Sequence, residues 1–225
     1  MSNQYSSEYD LSDVLRFEPA RAVRSGSNVL VSGPGMSGTD ELALDVVASG
    51  LEAGQGGVVM TTSERGETVV ERLEDSVEFD PANLCVVDCR AERGREERSL
   101  NGAYVYSVPE PSDFTGLGIG LTQCLSHLDA RDLEAGRFAL SSLSTMITYT
   151  DRQKVFKFCH VVASRLSTPG YLGLFVVDPD VHDTQTMAVI KQAFDGLVEV
   201  RQHEGTREAR LVGLEAGTTE WQPLA

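Results

Sequence analysis

Positive charge is what this 225-residue chain has little of: 19 Lys and Arg stand against 34 Asp and Glu, a formal net charge of -15. Lysine is nearly missing, present only as Lys154, Lys157 and Lys191. Nucleic acids and anionic membranes are held by clustered basic side chains that neutralise phosphate, so neither is expected as a partner. Cysteine is scarce as well. Cys85, Cys89, Cys124 and Cys159 form no CxxC pair and read as reduced core or loop residues, not as a metal site. No stretch of eighteen apolar residues exists to cross a membrane, and MSNQYSSEYD has no apolar leader core, so a cytoplasmic protein is expected. No G-x-S-x-G nucleophile motif occurs, and His127, His160, His182 and His203 have no evident nucleophile beside them.

What is present is an acidic, lysine-poor surface of the kind that keeps proteins hydrated in a salt-saturated cytoplasm, which points to a halophilic source. Hydrophobic residues at 41% and charged residues at 24% are ordinary for a globular protein. The length suits one large α/β domain or two small ones. Residues 1–10 are polar and read as a flexible tail, with a single domain over 11–225.

Short apolar runs alternate with helical ones. Strands are expected at Asn28–Ser32, Gly57–Thr62, Leu84–Asp88, Arg137–Ser142 and Gly173–Asp178. Helices are expected at Asp40–Ala53, Thr68–Leu73, Leu117–Leu128, Arg152–Leu166 and Thr184–Phe194. Leu197–Arg201 and Ala209–Leu214 read as a terminal antiparallel pair, and residues 89–113 as a long surface excursion. Apolar strands separated by helices imply a parallel sheet covered on both faces.

The first strand runs into Gly33-Pro34-Gly35-Met36-Ser37-Gly38-Thr39-Asp40 and then a helix, the layout of a phosphate-binding loop. The template G-x-x-x-x-G-K-[ST] keeps Gly33 and Gly38, but Thr39 replaces the lysine and Asp40 the hydroxyl residue. A lysine ~4 Å from phosphate is worth about 4 kcal/mol at an effective dielectric near 20, and Thr39 forfeits it. Ser37-Gly38-Thr39-Asp40 also fits a capping box, so the helix start is expected to be satisfied by its own carboxylates.

With these motifs the sequence resembles the KaiC-like branch of the RecA-type ATPases over most of its length. Leu11-Ser-Asp-Val-Leu15 matches the entry segment, and Arg24-Ser-Gly-Ser-Asn-Val-Leu-Val-Ser-Gly33 the approach to the loop. Gly57-Val-Val-Met-Thr-Thr-Ser-Glu64 places Glu64 on the catalytic glutamate position, and Arg137-Phe-Ala-Leu-Ser-Ser-Leu-Ser144 matches the Walker B strand. The resemblance implies a RecA-like P-loop NTPase fold: a mainly parallel central sheet flanked by helices, with an antiparallel C-terminal edge. It also implies what is lost. Ser141 stands in place of the Walker B aspartate, and Ala209-Arg-Leu-Val-Gly-Leu-Glu215 keeps only Arg210 of a basic pair aimed at a neighbour's nucleotide. With lysine, hydroxyl and Walker B acid all changed, Glu64 has neither metal nor phosphate clamp to work with.

Two lesser signals remain. Asp178-Pro-Asp-Val-His-Asp183 groups carboxylates and His182, either around a cation or as a proline turn followed by a helix N-cap. Arg152, Lys154 and Lys157 open a helix and read as salt-bridging or as a protein contact face. The expected function is a non-catalytic regulatory or signalling scaffold acting through protein contacts, with a protein partner or an oligomer, no cofactor and no metal. The alternatives are an ATP-binding or slow ATPase, with ATP and magnesium as ligands, and a DNA repair or recombination accessory protein.

Overall fold

Parallel strands need crossover helices, and the apolar runs of this chain are spaced for them. The computed structural model describes residues 8–15, 18–90, 96–133, 135–214 and 217–224. The first half holds β1 (Glu8–Tyr9), α1 (Ser12–Leu15), β2 (Val23–Arg24), β3 (Asn28–Ser32), α2 (Thr39–Glu52), β4 (Gly56–Thr61) and α3 (Gly66–Ser76). The middle holds β5 (Leu84–Asp88), β6 (Glu96–Leu100), β7 (Ala103–Ser107), α4 (Phe114–Asp129), β8 (Gly136–Ser141) and α5 (Leu143–Tyr149). The last part holds α6 (Arg152–Ser167), β9 (Leu172–Val177), α7 (Thr184–Lys191), β10 (Gly196–His203), β11 (Thr206–Gly213) and β12 (Gln222–Pro223).

Ten strands form one sheet in the order β12-β11-β10-β3-β9-β8-β4-β5-β7-β6. The strands from β10 to β7 run parallel. Both edges are antiparallel, β11 with β12 on one side and β6 on the other. Every residue of β3, β4, β5, β8 and β9 is buried, which is why these strands show no polar alternation. Leu42, Val46 and Leu51 of α2 and Val69, Val70 and Leu73 of α3 fill the core on one face. Leu117 and Leu121 of α4, Val155 and Phe158 of α6 and Ile190 of α7 fill the other. The α/β sheet with flanking helices and an antiparallel C-terminal edge is the architecture expected from the sequence.

Three stretches differ from the sequence reading. The segment 89–113 is not a plain excursion: outside 91–95, which are not among the described residues, it contains β6 and β7, and β7 pairs in parallel with β5. Its turn is Asn101-Gly102, both at positive φ (51° and 101°), the dipeptide that closes two-residue hairpins. Of the expected tail, residues 1–7 lie outside the described residues, whereas Tyr9 is buried and β1 pairs with β2. The Tyr9 hydroxyl reaches the Gly136 and Gly170 carbonyls at 2.9 and 2.8 Å, tying this segment to the sheet. The helix expected over Thr68–Leu73 extends over Gly66–Ser76.

Candidate functional site

Because the central strands are parallel, their carboxyl ends share one edge, and a crevice outside such ends is where open α/β sheets bind ligands. Gly33 leaves β3 there, with its N–H donating to the Val177 carbonyl. Only glycine fits, since a Cβ would lie 2.7 Å from Ser37 Oγ and 2.8 Å from Thr39 Cγ2. Pro34 accepts the Ser37 N–H at 3.0 Å to close the turn, Gly35 approaches the Asp178 carboxylate, and Met36 stands fully exposed at the crest.

Gly38 (φ 78°) is the residue before α2, and no side chain caps the helix. The capping box expected over Ser37–Asp40 is therefore absent. Ser37 is turned against Gly33 and Thr39 is buried, so neither hydroxyl serves as a cap. Ser37 Oγ and Asp40 Oδ1 are buried without a hydrogen-bond partner. Burial first, and the nearby Glu64 carboxylate second, push the Asp40 carboxyl above its usual range, against the pull of Arg72.

Residues 36–41 form one wall of a cleft of about 810 Å3, completed by Ser63, Glu64, Arg72, Gln202, Gly205 and Arg207. That is a size suited to a small ligand. Glu64 follows β4 and is held by Arg72 of α3, whose Nη1 donates to Glu64 Oε1 at 2.9 Å. Arg207 crosses from β11 to the start of α2. Its Nη1 lies 3.2 Å from Glu41 Oε2, and a Cβ on Gly38 would fall 2.0 Å from it. Three carboxylates, Asp40, Glu41 and Glu64, thus face two guanidiniums, and each guanidinium is ion-paired to one of them.

Ser141 ends β8 level with Thr61 of β4. It is buried, its carbonyl accepts the Thr62 hydroxyl at 2.9 Å, and it does not line the cleft. The loop and Glu64 are brought together, then, while Ser141 ends the neighbouring strand with its carbonyl bonded to Thr62. Arg210 is held inside its own hairpin: it pairs with Glu199 at 2.6 Å and lies 4.6 Å over the Trp221 ring. Asp178 accepts the Asp180 N–H and Asp183 the Thr186 N–H, so these two carboxylates serve as turn and helix caps. His182 contacts the Ser144 hydroxyl at 2.9 Å. Among the described residues no group of three or more His, Cys, Asp or Glu is arranged to hold a metal ion.

Arg72 and Arg207 escaped the sequence reading, because loop motifs are read locally and these residues arrive from distant elements. One signal for Arg207 is strand alternation. It shares a sheet face with Ala209 and Leu211, which pack with Val46 and Val47 of α2 in the same core.

A family model described as a family of unknown function (DUF7504) matches residues 26–200. No curated protein matches. Among solved structures, a KaiC-like protein, PH0186, from the hyperthermophilic archaeon Pyrococcus horikoshii OT3 is similar, with a TM-score of 0.68 at 14% identity. The likeness covers 97% of this chain and 92% of that one, and at this identity it speaks for the fold. The chain therefore belongs to the DUF7504 family and carries the fold of a KaiC-like, RecA-type protein.

Proposed function

We propose that this protein is a RecA-type scaffold that does not hydrolyse ATP and acts through protein contacts, in a regulatory or signalling assembly of a salt-rich cytoplasm. The observation that carries this reading is the Arg72–Glu64 pair at 2.9 Å. A general base has to meet the water it activates, and here a guanidinium of the same chain already occupies one oxygen of that carboxylate. The other replaced motif positions agree. Thr39 supplies no cation, Asp40 adds a carboxyl where phosphate would sit, and Ser141 offers no acid to a metal. Excess negative charge opposes a polyphosphate at close range.

One observation favours nucleotide binding without hydrolysis as a second reading: the Arg207 guanidinium already stands against Gly38, beside an uncapped helix start. Titration calorimetry with Mg-ATP in about 2 M KCl separates the two, screening being nearly complete within ~2 Å there. The scaffold reading expects no heat from the wild type and binding once Thr39→Lys and Asp40→Thr are combined. Saturable wild-type binding that disappears in Arg207→Ala would establish the second reading instead.

A further inference from the structure

The groove between α4 and α6 lies on the other side of the sheet from α2 and α3, which wall the loop cleft. It has a volume of about 370 Å3. Phe114 and Phe158 stack across its floor with ring centroids 5.0 Å apart. Arg165 bridges the two helices, donating to the Gly118 carbonyl at 3.1 Å and to the Thr122 hydroxyl. Ile119 on one wall and Val161 on the other are 38% and 51% exposed, two of the five large hydrophobic side chains left in solvent among the described residues.

The charge around this groove runs opposite to that of the molecule. α6 contains no Asp or Glu and α4 only Asp129 at its last position, in a chain that has 34 of them, and Asp113 and Asp151 cap the two helices. Lys154 and Lys157, two of the three lysines, are exposed on α6 and make no ion pair among the described residues. Gly118 adds a geometric point. It is a mid-helix residue whose Cβ would meet nothing within 4 Å, so no contact inside the chain requires glycine there. Glycine weakens a helix, and its use at an open position lets a foreign backbone come close.

We propose that the α4–α6 groove docks an acidic amphipathic helix of another protein, its apolar stripe between Ile119 and Val161 and its carboxylates on Lys154 and Lys157. A second copy of this chain does not supply such a helix from its described residues. Its acidic helix α3 carries Glu67, Glu71, Glu74 and Asp75, but Val69, Val70 and Leu73 are already buried in its own core. The inference rests on the reading that the protein works through protein contacts, and names the chemistry of the partner.

The test is fluorescence anisotropy on the full chain in about 0.5 M KCl, where charge is screened but still felt at contact. The probe is a labelled helical peptide of about 18 residues with leucine at i, i+3, i+4 and i+7 and glutamate on the flanks. A Lys-flanked version and a scrambled sequence are the controls. Saturable binding of the Glu-flanked peptide is expected, weakened at least tenfold by Val161→Asp, about the loss of one interface anchor. Lys154→Glu with Lys157→Glu should shift preference towards the Lys-flanked peptide. These side chains are exposed, so circular dichroism should show an unchanged fold in both variants. No saturable binding, equal binding of the controls, or indifference to Val161→Asp would overturn the proposal. So would a wild-type dimer in sedimentation that Val161→Asp dissociates, since the groove would then belong to a second copy. ATP hydrolysis would sink the scaffold reading and leave this result standing, whereas a peptide that fails to bind sinks only the groove.

Discussion

At Asp40 three effects compete. The start of α2 favours a negative charge by roughly 0.3–1 kcal/mol. Burial and the adjacent Glu64 oppose ionisation, Arg72 supports it, and the balance leaves the carboxyl above its usual range with Oδ1 unpartnered. A group whose folded pKa is raised contributes stability that is fully present below its unfolded pKa and is lost as pH rises through the folded one. The unfolding free energy of wild type minus that of Asp40→Asn should therefore fall as pH rises through and just above the ordinary carboxylate range, then level off. Denaturant melts at a series of pH values measure this, and parallel curves would mean that Asp40 ionises as freely folded as unfolded. The same site shows how far the sequence was legible. Thr39 and Asp40 announce a missing lysine and hydroxyl on their own, because the loop is contiguous. Arg72 and Arg207 do not, because their closeness to the loop is made by the packing of α3 and by the β10–β11 hairpin.

Among the elements, the strands at the centre of the sheet are readable and the β6–β7 pair is not. β3 and β5 show as runs without polar interruption, since both faces are covered. β6 carries charged residues and β7 tyrosine and serine among its apolar ones, so neither shows as an uninterrupted apolar run, although Asn101-Gly102 marks their turn. The β10–β11 hairpin was expected, but not what fastens it. Glu199 faces Arg210 and Arg201 faces Glu208 across the pair, while Arg201 and Arg210 lie 4.1 and 4.6 Å over the Trp221 ring. A cation–π contact at a partly exposed site gives about 0.5–1 kcal/mol and an exposed ion pair a few tenths more. Arg210→Ala is thus expected to cost about 1 kcal/mol of stability and to shift the native emission of Trp221, the single tryptophan. Unchanged emission would show that Arg210 does not sit on the ring in solution, and would restore it as a candidate for reaching a neighbour.

For the molecule as a whole, the governing quantity is the formal charge of -15, from 34 acidic and 19 basic side chains. Many arginines are already used in ion pairs, including Arg72, Arg98, Arg131, Arg201, Arg207 and Arg210, so the acidic excess repels itself across the surface. Salt acts on both terms. It weakens the exposed pairs, each worth about 0–1 kcal/mol, and screens the repulsion, whose Debye length shrinks from ~10 Å at 0.1 M to ~3 Å at 1 M. Repulsion acts over many charges at longer range, so it is relieved first and the balance favours the folded chain. The thermal midpoint should rise as KCl goes from about 0.1 M to about 2 M, steeply below ~0.5 M, where most of the shortening of the Debye length takes place. A gain that continues linearly to high salt, and is reproduced by an uncharged osmolyte, would point instead to strengthened apolar burial. A flat or falling midpoint would mean that the ion pairs outweigh the repulsion. The acidic, lysine-poor composition would then be no adaptation to a salt-rich cytoplasm, and the Lys154–Lys157 face, set against a surface not built for salt, would hold its partner mainly by charge.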